Sequence, residues 1–272
     1  MRIEGRGLID RDVRIRFQFD GKGYAGFQGD TLASALLANG VKLMGRSFKY
    51  HRPRGVLTAG SEEPNALMEI GTGASMVPNT RATVQEIFEG LEAHSQNRIG
   101  PLDRDLLSVN DLLSPFLSAG FYYKTFMWPR AFWEKLYEPI IRRAAGLGRI
   151  TKNPSPEFSE KAFAFCDILV IGGGPAGLMA ALTAARGGAD VIVAEDSADF
   201  GGRLLSDMQE VGGKPGQDWV AKTVAELRDM GNVRLMPRTS VTGAYDDGSY
   251  GALERVGRHL PARDHLPAEC FW

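Results

Sequence analysis

Asp167-Ile168-Leu169-Val170-Ile171-Gly172-Gly173-Gly174-Pro175-Ala176-Gly177 joins a nearly continuous apolar run to a glycine-rich turn. A run of this kind predicts a central parallel strand covered on both faces. In the GxGxxG pattern that follows, Gly172 allows the tight turn and Gly174 lets the backbone approach a pyrophosphate. Gly177 lets the next helix lie close to the strand. That helix, through Leu178, Ala181, Leu182 and Ala185, aims free N–H groups and the positive end of its dipole at the phosphates. Gly187-Gly188 ends it.

A second strand, Val191-Ile192-Val193-Ala194, delivers Glu195 at its tip, 21 positions after Gly174. At that separation a carboxylate accepts hydrogen bonds from an adenosine ribose. It would repel a 2′-phosphate, so the pattern favours NAD or FAD over NADP. Gly201-Gly202-Arg203 follows, its glycines suited to a loop passing close over a dinucleotide and Arg203 either reaching a phosphate or lying in solvent. The candidate cofactor-binding set is Gly172, Gly174, Pro175, Ala176, Gly177, Glu195, Asp196, Gly202 and Arg203. Strand, helix, strand and acid in this order define a Rossmann half rather than a chance glycine cluster.

Upstream the pattern changes. Val13, Ile15, Phe17 and Phe19 alternate with Arg14, Arg16 and Gln18, predicting a half-buried antiparallel edge strand over residues 11 to 19. Asp20-Gly21 turns the chain into a return strand from Tyr24 to Gly29. Asp30 or Thr31 then caps a helix through Leu32, Ala35, Leu36 and Leu37, which Asn39-Gly40 closes. A basic loop, Phe48 to Gly55, leads to short strands between Val56 and Ile70. From residue 76 to 165 the pattern loosens. A helix is expected from Pro129 to Ala145, kinked at Pro139, with Phe132, Trp133, Leu136 and Ile140 on its apolar side. Thr151 to Pro156 reads as a linker. The expected organisation is an α/β chain, α+β overall: a small ferredoxin-like β-grasp domain over 1–105, a helical connector over 106–160, and a partial Rossmann-type dinucleotide-binding domain over 161–272.

Composition sets the outer bounds. The chain has 272 residues, 43% hydrophobic, with 32 basic and 33 acidic side chains interleaved to a net charge of −1, so neither nucleic acid nor a membrane surface is expected as a partner. The charged amino end, MRIEGRGLIDRD, lacks the apolar stretch of a secretory signal, and a cytoplasmic location is expected. Cys166 and Cys270 stand apart with no CxxC or histidine spacing beside them, predicting neither a disulfide framework nor a metal site. Both read as buried apolar side chains. No catalytic constellation is visible: His51, within a basic loop, reads as a turn or interface residue for want of a carboxylate at readable spacing, and His94, His259 and His265 read as surface residues.

The stretches Gly29-Asp30-Thr31-Leu32-Ala33-Ser34-Ala35-Leu36-Leu37-Ala38-Asn39-Gly40, Ser47-Phe48-Lys49-Tyr50-His51-Arg52-Pro53-Arg54-Gly55 and Glu63-Pro64-Asn65-Ala66 resemble the amino end of sarcosine oxidase alpha subunits. Thr242-Gly243-Ala244-Tyr245-Asp246 and Gly251-Ala252-Leu253-Glu254-Arg255-Val256 resemble the same family beyond its first Rossmann half. The resemblance implies a heterotetramer in which alpha holds NAD, a flavin-bearing beta subunit oxidises sarcosine to an imine on the way to glycine, and smaller gamma and delta subunits complete the assembly. It implies nucleotide ligands at Gly172, Gly174, Gly177, Glu195 and Arg203. Members of the family run well past Trp272 into a folate-binding domain, so a truncated chain, weak in NAD binding and inactive alone, is expected. Related amino-terminal domains hold a two-iron cluster through cysteines; with no cysteine before Cys166, the expectation is a domain without an iron–sulfur cluster. Two other readings stand beside this one: a fragment of an FAD-dependent oxidoreductase of the disulfide-reductase kind, and a nonenzymatic assembly module.

Overall fold

In the computed structural model, which describes residues 2–3, 7–115, 120, 128–144, 146–261 and 265–272, the chain divides into two units, Ile9–Pro156 and Glu157–Trp272. The division falls at the end of the Thr151–Pro156 stretch read as a linker. The expected connector is not set apart from the first unit.

The first unit opens with β1 (Asp10–Phe19) and β2 (Lys22–Gln28), an antiparallel hairpin whose turn places Asp20 and Gly21 at positive φ. Helix α1 (Leu32–Ala38) is capped by Thr31, whose side chain accepts from the Ser34 N–H. Asp30 is also buried and engaged: its carboxylate accepts from the Phe27 N–H at 2.9 Å and from the Ser34 hydroxyl at 2.7 Å. A two-residue ribbon, β3 (Gly45–Arg46) and β4 (Pro53–Arg54), precedes β5 (Leu67–Ile70), β6 (Val77–Arg81) and β7 (Leu91–Ser95). The sheet order is β2-β1-β7-β5-β6. β1 is therefore interior and not the expected edge, because β7 returns parallel to it, pairing Phe17 with Leu91. Strands β6 and β7 fall in the region read as loose. β6 carries Pro78 and Asn79, while β7, Leu91-Glu92-Ala93-His94-Ser95, does alternate buried and half-buried positions and was overlooked.

The core of this unit gathers Phe17, Leu32, Leu36, Met44, Met68 and Leu91, each 2% exposed or less. Burying one such side chain contributes about 1.5–3 kcal/mol before entropy is counted. The alternation read in β1 holds for Phe17 and Phe19, while Val13, nearer its start, is exposed.

Between Val56 and Leu67 the chain forms no strand, contrary to expectation. A different device fixes it: the Glu63 carboxylate, fully buried, accepts backbone N–H groups of Leu57, Thr58 and Asn65 at 2.7 Å each and of Ala66 at 3.2 Å. Burial pushes this carboxyl upward, but the four N–H donors outweigh it and hold it below its ordinary value of 4.5.

His51, expected at a turn or interface for want of a carboxylate partner, has one. It is fully buried at a positive φ of 52°, with Nδ1 2.6 Å from the equally buried Asp105. The other Asp105 oxygen accepts from the N–H groups of Ile99 and Leu107. Arg46, 8% exposed, donates to the carbonyls of His51 and Leu102.

The expected helix from Pro129 is shorter than predicted. Tight and wide turns over 130–137 precede α2 (Glu138–Ala144), and Ala145 lies outside the described residues. Pro139 lies in the first turn of α2, directly after the wide helical turn over 133–137. Phe132, Trp133, Leu136 and Ile140 are all exposed in the described structure.

The second unit begins with β8 (Ser159–Lys161) and β9 (Ile168–Ile171), then α3 (Pro175–Arg186) and β10 (Val191–Ala194). The small ribbon of β11 (Glu210–Val211) and β12 (Lys214–Pro215) leads into α4 (Gly216–Asp229) and β13 (Val233–Met236). β14 (Thr239–Ala244), β15 (Tyr250–Glu254) and β16 (Glu269–Phe271) follow. The parallel sheet runs β13-β10-β9, and a second sheet runs β14-β15-β16-β8. Among the described residues the central strand is β10, with all four positions buried, while β9 is outermost and leaves Ile168 and Ile171 exposed. The expectation of a central, doubly covered β9 is corrected accordingly. Cys270 is buried as expected and Cys166 only half-buried.

A test of the Glu63 latch follows from its sign. A carboxylate held below its ordinary value stabilises the fold above 4.5 and loses that contribution as pH falls through the lowered value. Glu63→Gln is expected to cost about 1–3 kcal/mol near neutrality in urea unfolding, with the gap from the unaltered chain narrowing as pH drops below 4.5. A gap independent of pH would refute the charge-based account.

Candidate functional site

The site is built where β9 ends. The Gly172 N–H donates to the Ala194 carbonyl at 2.8 Å, tying the turn to β10, and its φ of 97° is a conformation side-chain-bearing residues rarely adopt. Gly174 is the residue before α3, and its carbonyl receives the first helical bond from Leu178. Pro175 follows at the first helical position, where its missing N–H costs nothing. No side chain of the described residues caps this end, so the helix dipole and leading amides stand uncompensated.

The glycines divide by role. A Cβ on Gly177 would stand 1.9 Å from the Gly172 carbonyl oxygen, so the helix approaches the turn at backbone distance. A Cβ on Gly174 would meet nothing within 4 Å, leaving open space before the turn. Pro175 and Ala176 are exposed beside that space.

Glu195 reaches the same turn from the end of β10. One carboxylate oxygen accepts from the Gly173 N–H at 2.6 Å and the other from the Ser197 N–H at 2.8 Å. Its own backbone is clamped: the N–H donates to the Met236 carbonyl and the carbonyl accepts from Thr239. Thus β13 and the start of β14 fix the acid that β10 delivers.

The loop after it lies across the turn. The Gly201 N–H donates to the Gly173 carbonyl at 2.8 Å, and a Cβ on Gly202, whose φ is 52°, would stand 3.0 Å from the Gly174 Cα. Buried Phe200 packs where a Gly173 side chain would be. Arg203 extends into solvent, 90% exposed, with Asp207 at 3.6 Å. Asp196 contributes its backbone carbonyl to Arg255, and its Oδ1 is buried without a hydrogen-bond partner among the described residues.

The structure therefore brings Gly172, Gly174, Gly177, Glu195 and Gly202 to one turn, with Pro175 and Ala176 at its helical side, Asp196 beside the acid and Arg203 outside. Sequence reasoning missed Ser197 and Phe200. An aromatic directly before the Gly201-Gly202 pair was the available signal for the second; the first had none, because its contribution is a backbone N–H.

Comparison with known proteins agrees with this division. Residues 12–98 match the family described as 2Fe-2S iron-sulfur cluster binding domain, and residues 167–246 match FAD dependent oxidoreductase. Over its full length the chain is 58% identical to a sarcosine oxidase subunit alpha of Rhizobium meliloti (strain 1021), spanning 28% of that protein. It is 31% identical, over 97% of its length, to the sarcosine oxidase subunit alpha of Corynebacterium sp. (strain P-1), of which it spans 23%. Among solved structures, L-proline dehydrogenase from P. horikoshii superposes with a TM-score of 0.54 over 99% of this chain and 41% of that one, at 19% identity, which speaks for the fold alone.

One expectation is overturned. The amino-terminal domain was read as having no iron–sulfur cluster, yet its match is to a cluster-binding family. The error came from counting cysteines, which reads ligands and not fold. Residues 12–98 hold no cysteine of their own, so the usual thiolate ligands are not supplied from within the matched segment.

A cluster-type ferredoxin-like unit followed by a dinucleotide-type unit, with identity running from end to end, makes the conclusion direct: the chain belongs to the sarcosine oxidase alpha-subunit family and corresponds to its amino-terminal portion.

Proposed function

We propose that the second unit binds an adenine dinucleotide, NAD in the first instance, with its pyrophosphate before Gly172, Gly174 and Gly177 and its adenosine ribose on Glu195. The observation that carries this reading is the open space before Gly174, bounded by uncapped amides of α3 and by a carboxylate held at the same turn. Oriented N–H groups and a helix amino end favour phosphate there, and the Glu195 charge disfavours a 2′-phosphate. Pro175, Ala176 and Gly202 shape the approach, Asp196 flanks the acid, and Arg203 meets a phosphate from the solvent side. FAD is the second reading, favoured by the match of residues 167–246 to FAD dependent oxidoreductases.

The bound dinucleotide supplies hydride chemistry; this chain supplies its binding and orientation. In the assembled protein we place the oxidative demethylation of sarcosine on a flavin-bearing partner subunit, with smaller subunits completing a heterotetramer in the cytoplasm. The sarcosine oxidase subunit alpha proteins to which the chain is similar support that assignment. Alone, the chain is expected to bind NAD weakly and to oxidise nothing. In domain terms we take 1–105 as the ferredoxin-like part, 106–160 as the connector and 161–272 as the nucleotide-binding part.

Two glycine variants separate fold from binding. Gly177→Ala puts a methyl 1.9 Å from a carbonyl oxygen and is expected to unfold the second unit or expel α3 from its place, seen as lost thermal cooperativity. Gly174→Ala, at an ordinary φ of −71° with free space around it, should keep wild-type stability and yet abolish NAD binding in calorimetric titration. Wild-type binding by a folded Gly174→Ala chain would overturn the site.

Glu195 tests the nucleotide. Glu195→Gln removes the charge and keeps one acceptor oxygen, so preference for NAD over NADP should fall by about tenfold, equivalent to about 1.4 kcal/mol. Unchanged discrimination would sink the ribose assignment. Visible absorbance of the purified chain would move the reading from NAD to FAD.

A further inference from the structure

A cavity of about 180 Å³ lies in the first unit beside the β3–β4 ribbon, lined by Arg46, Arg54, Asn65, Gln96 and Asn97 among others. We propose that it binds a small oxyanion of phosphate or carboxylate type, with Arg54 as the contact and Arg46 as a buried positive charge beside it. This goes beyond the dinucleotide reading and does not rest on it.

The argument is one of unbalanced charge. Arg46 is 8% exposed, and it spends its described hydrogen bonds on the carbonyls of His51 and Leu102. No carboxylate of the described residues lies within salt-bridge distance of it. The three buried acids of the unit described above are otherwise engaged: Asp105 with His51 at 2.6 Å, Glu63 with four backbone amides, and Asp30 with Arg2, the Phe27 N–H and the Ser34 hydroxyl. A buried cation left without an anion is costly, and low-dielectric walls concentrate its field on the nearest open volume.

Arg54 adds a second cation on the same cavity. It is half-buried, its described bond is a long one of 3.4 Å to the neighbouring Pro53 carbonyl, and no described carboxylate pairs with it. A guanidinium so lightly engaged keeps its planar fork available to an oxyanion.

The walls are already set. Gln96 donates to the Asn79 side chain at 2.7 Å and accepts from the Asn79 N–H at 3.1 Å. Asn97 donates to the carbonyls of Arg46 and Ser47. Binding therefore orders little that is not ordered beforehand. The volume accommodates a small oxyanion together with water.

The experiment follows backbone amide resonances of Gly45, Asn65 and Asn97 in the isotopically labelled chain. Inorganic phosphate and acetate are titrated separately at fixed ionic strength, with chloride as reference. Saturable shifts with either oxyanion and none with chloride are expected. Arg54→Gln should weaken that binding about tenfold or more, the scale of a lost charge-assisted pair, while Arg104→Gln, at an 87% exposed arginine, leaves it unchanged. If Arg54→Gln does not fold, Arg54→Lys keeps the charge and loses the fork, and weaker binding is again expected. Shifts that chloride reproduces, shifts that never saturate, or an Arg54 variant that binds as the unaltered chain does would each overturn the proposal. NAD titration of the same samples reports on the second unit separately, so the two readings fail independently.

Discussion

The missing side chain at position 177 is the constraint on which the second unit rests. A methyl group there would collide with the carbonyl of Gly172, so only glycine lets the first turn of α3 close onto the end of β9. That approach fixes where the Gly172–Gly174 turn stands. The turn in turn receives the Glu195 carboxylate from β10 and the Gly201 N–H from the loop beyond it. Remove the close approach and the amides, the acid and the covering loop lose their common reference point, although each of their residues remains.

The first unit is organised by buried polar groups rather than by one close contact. Glu63 gathers the 57–66 loop, and the Asp105 carboxylate joins His51 to the chain near Ile99 and Leu107. In each, a buried carboxylate accepts several backbone N–H groups. Such groups are stabilising only while fully satisfied.

What the sequence disclosed follows the range of the interaction. β9, α3 and β10 were legible because each is a local period or a local glycine rule, and Glu195 because its separation from the turn is set by one helix and one strand. The hairpin β1–β2 and the capped α1 were legible for the same reason. The position of β1 inside its sheet was not, since it depends on β7, more than seventy residues away. Pairing His51 with Asp105 across 54 positions was equally out of reach. The cluster question failed differently: a cysteine count describes ligands, whereas the family match extends over residues 12–98 as a whole.

Both units use a glutamate to hold a backbone turn, and the difference between them separates a structural acid from one available to a ligand. A carboxylate offers about four acceptor positions. Glu63 has four N–H donors and no exposure, so its capacity is spent on its own loop. Glu195 has two described donors, from Gly173 and Ser197, and is half-buried beside the open space at Gly174. The same two bonds that orient it leave about two acceptor positions unfilled, the number that the paired hydroxyls of a ribose would take. An acid free of the backbone would have more capacity but no fixed direction, and one bound as Glu63 is would have direction and no capacity; Glu195 lies between, which is what the proposed role requires.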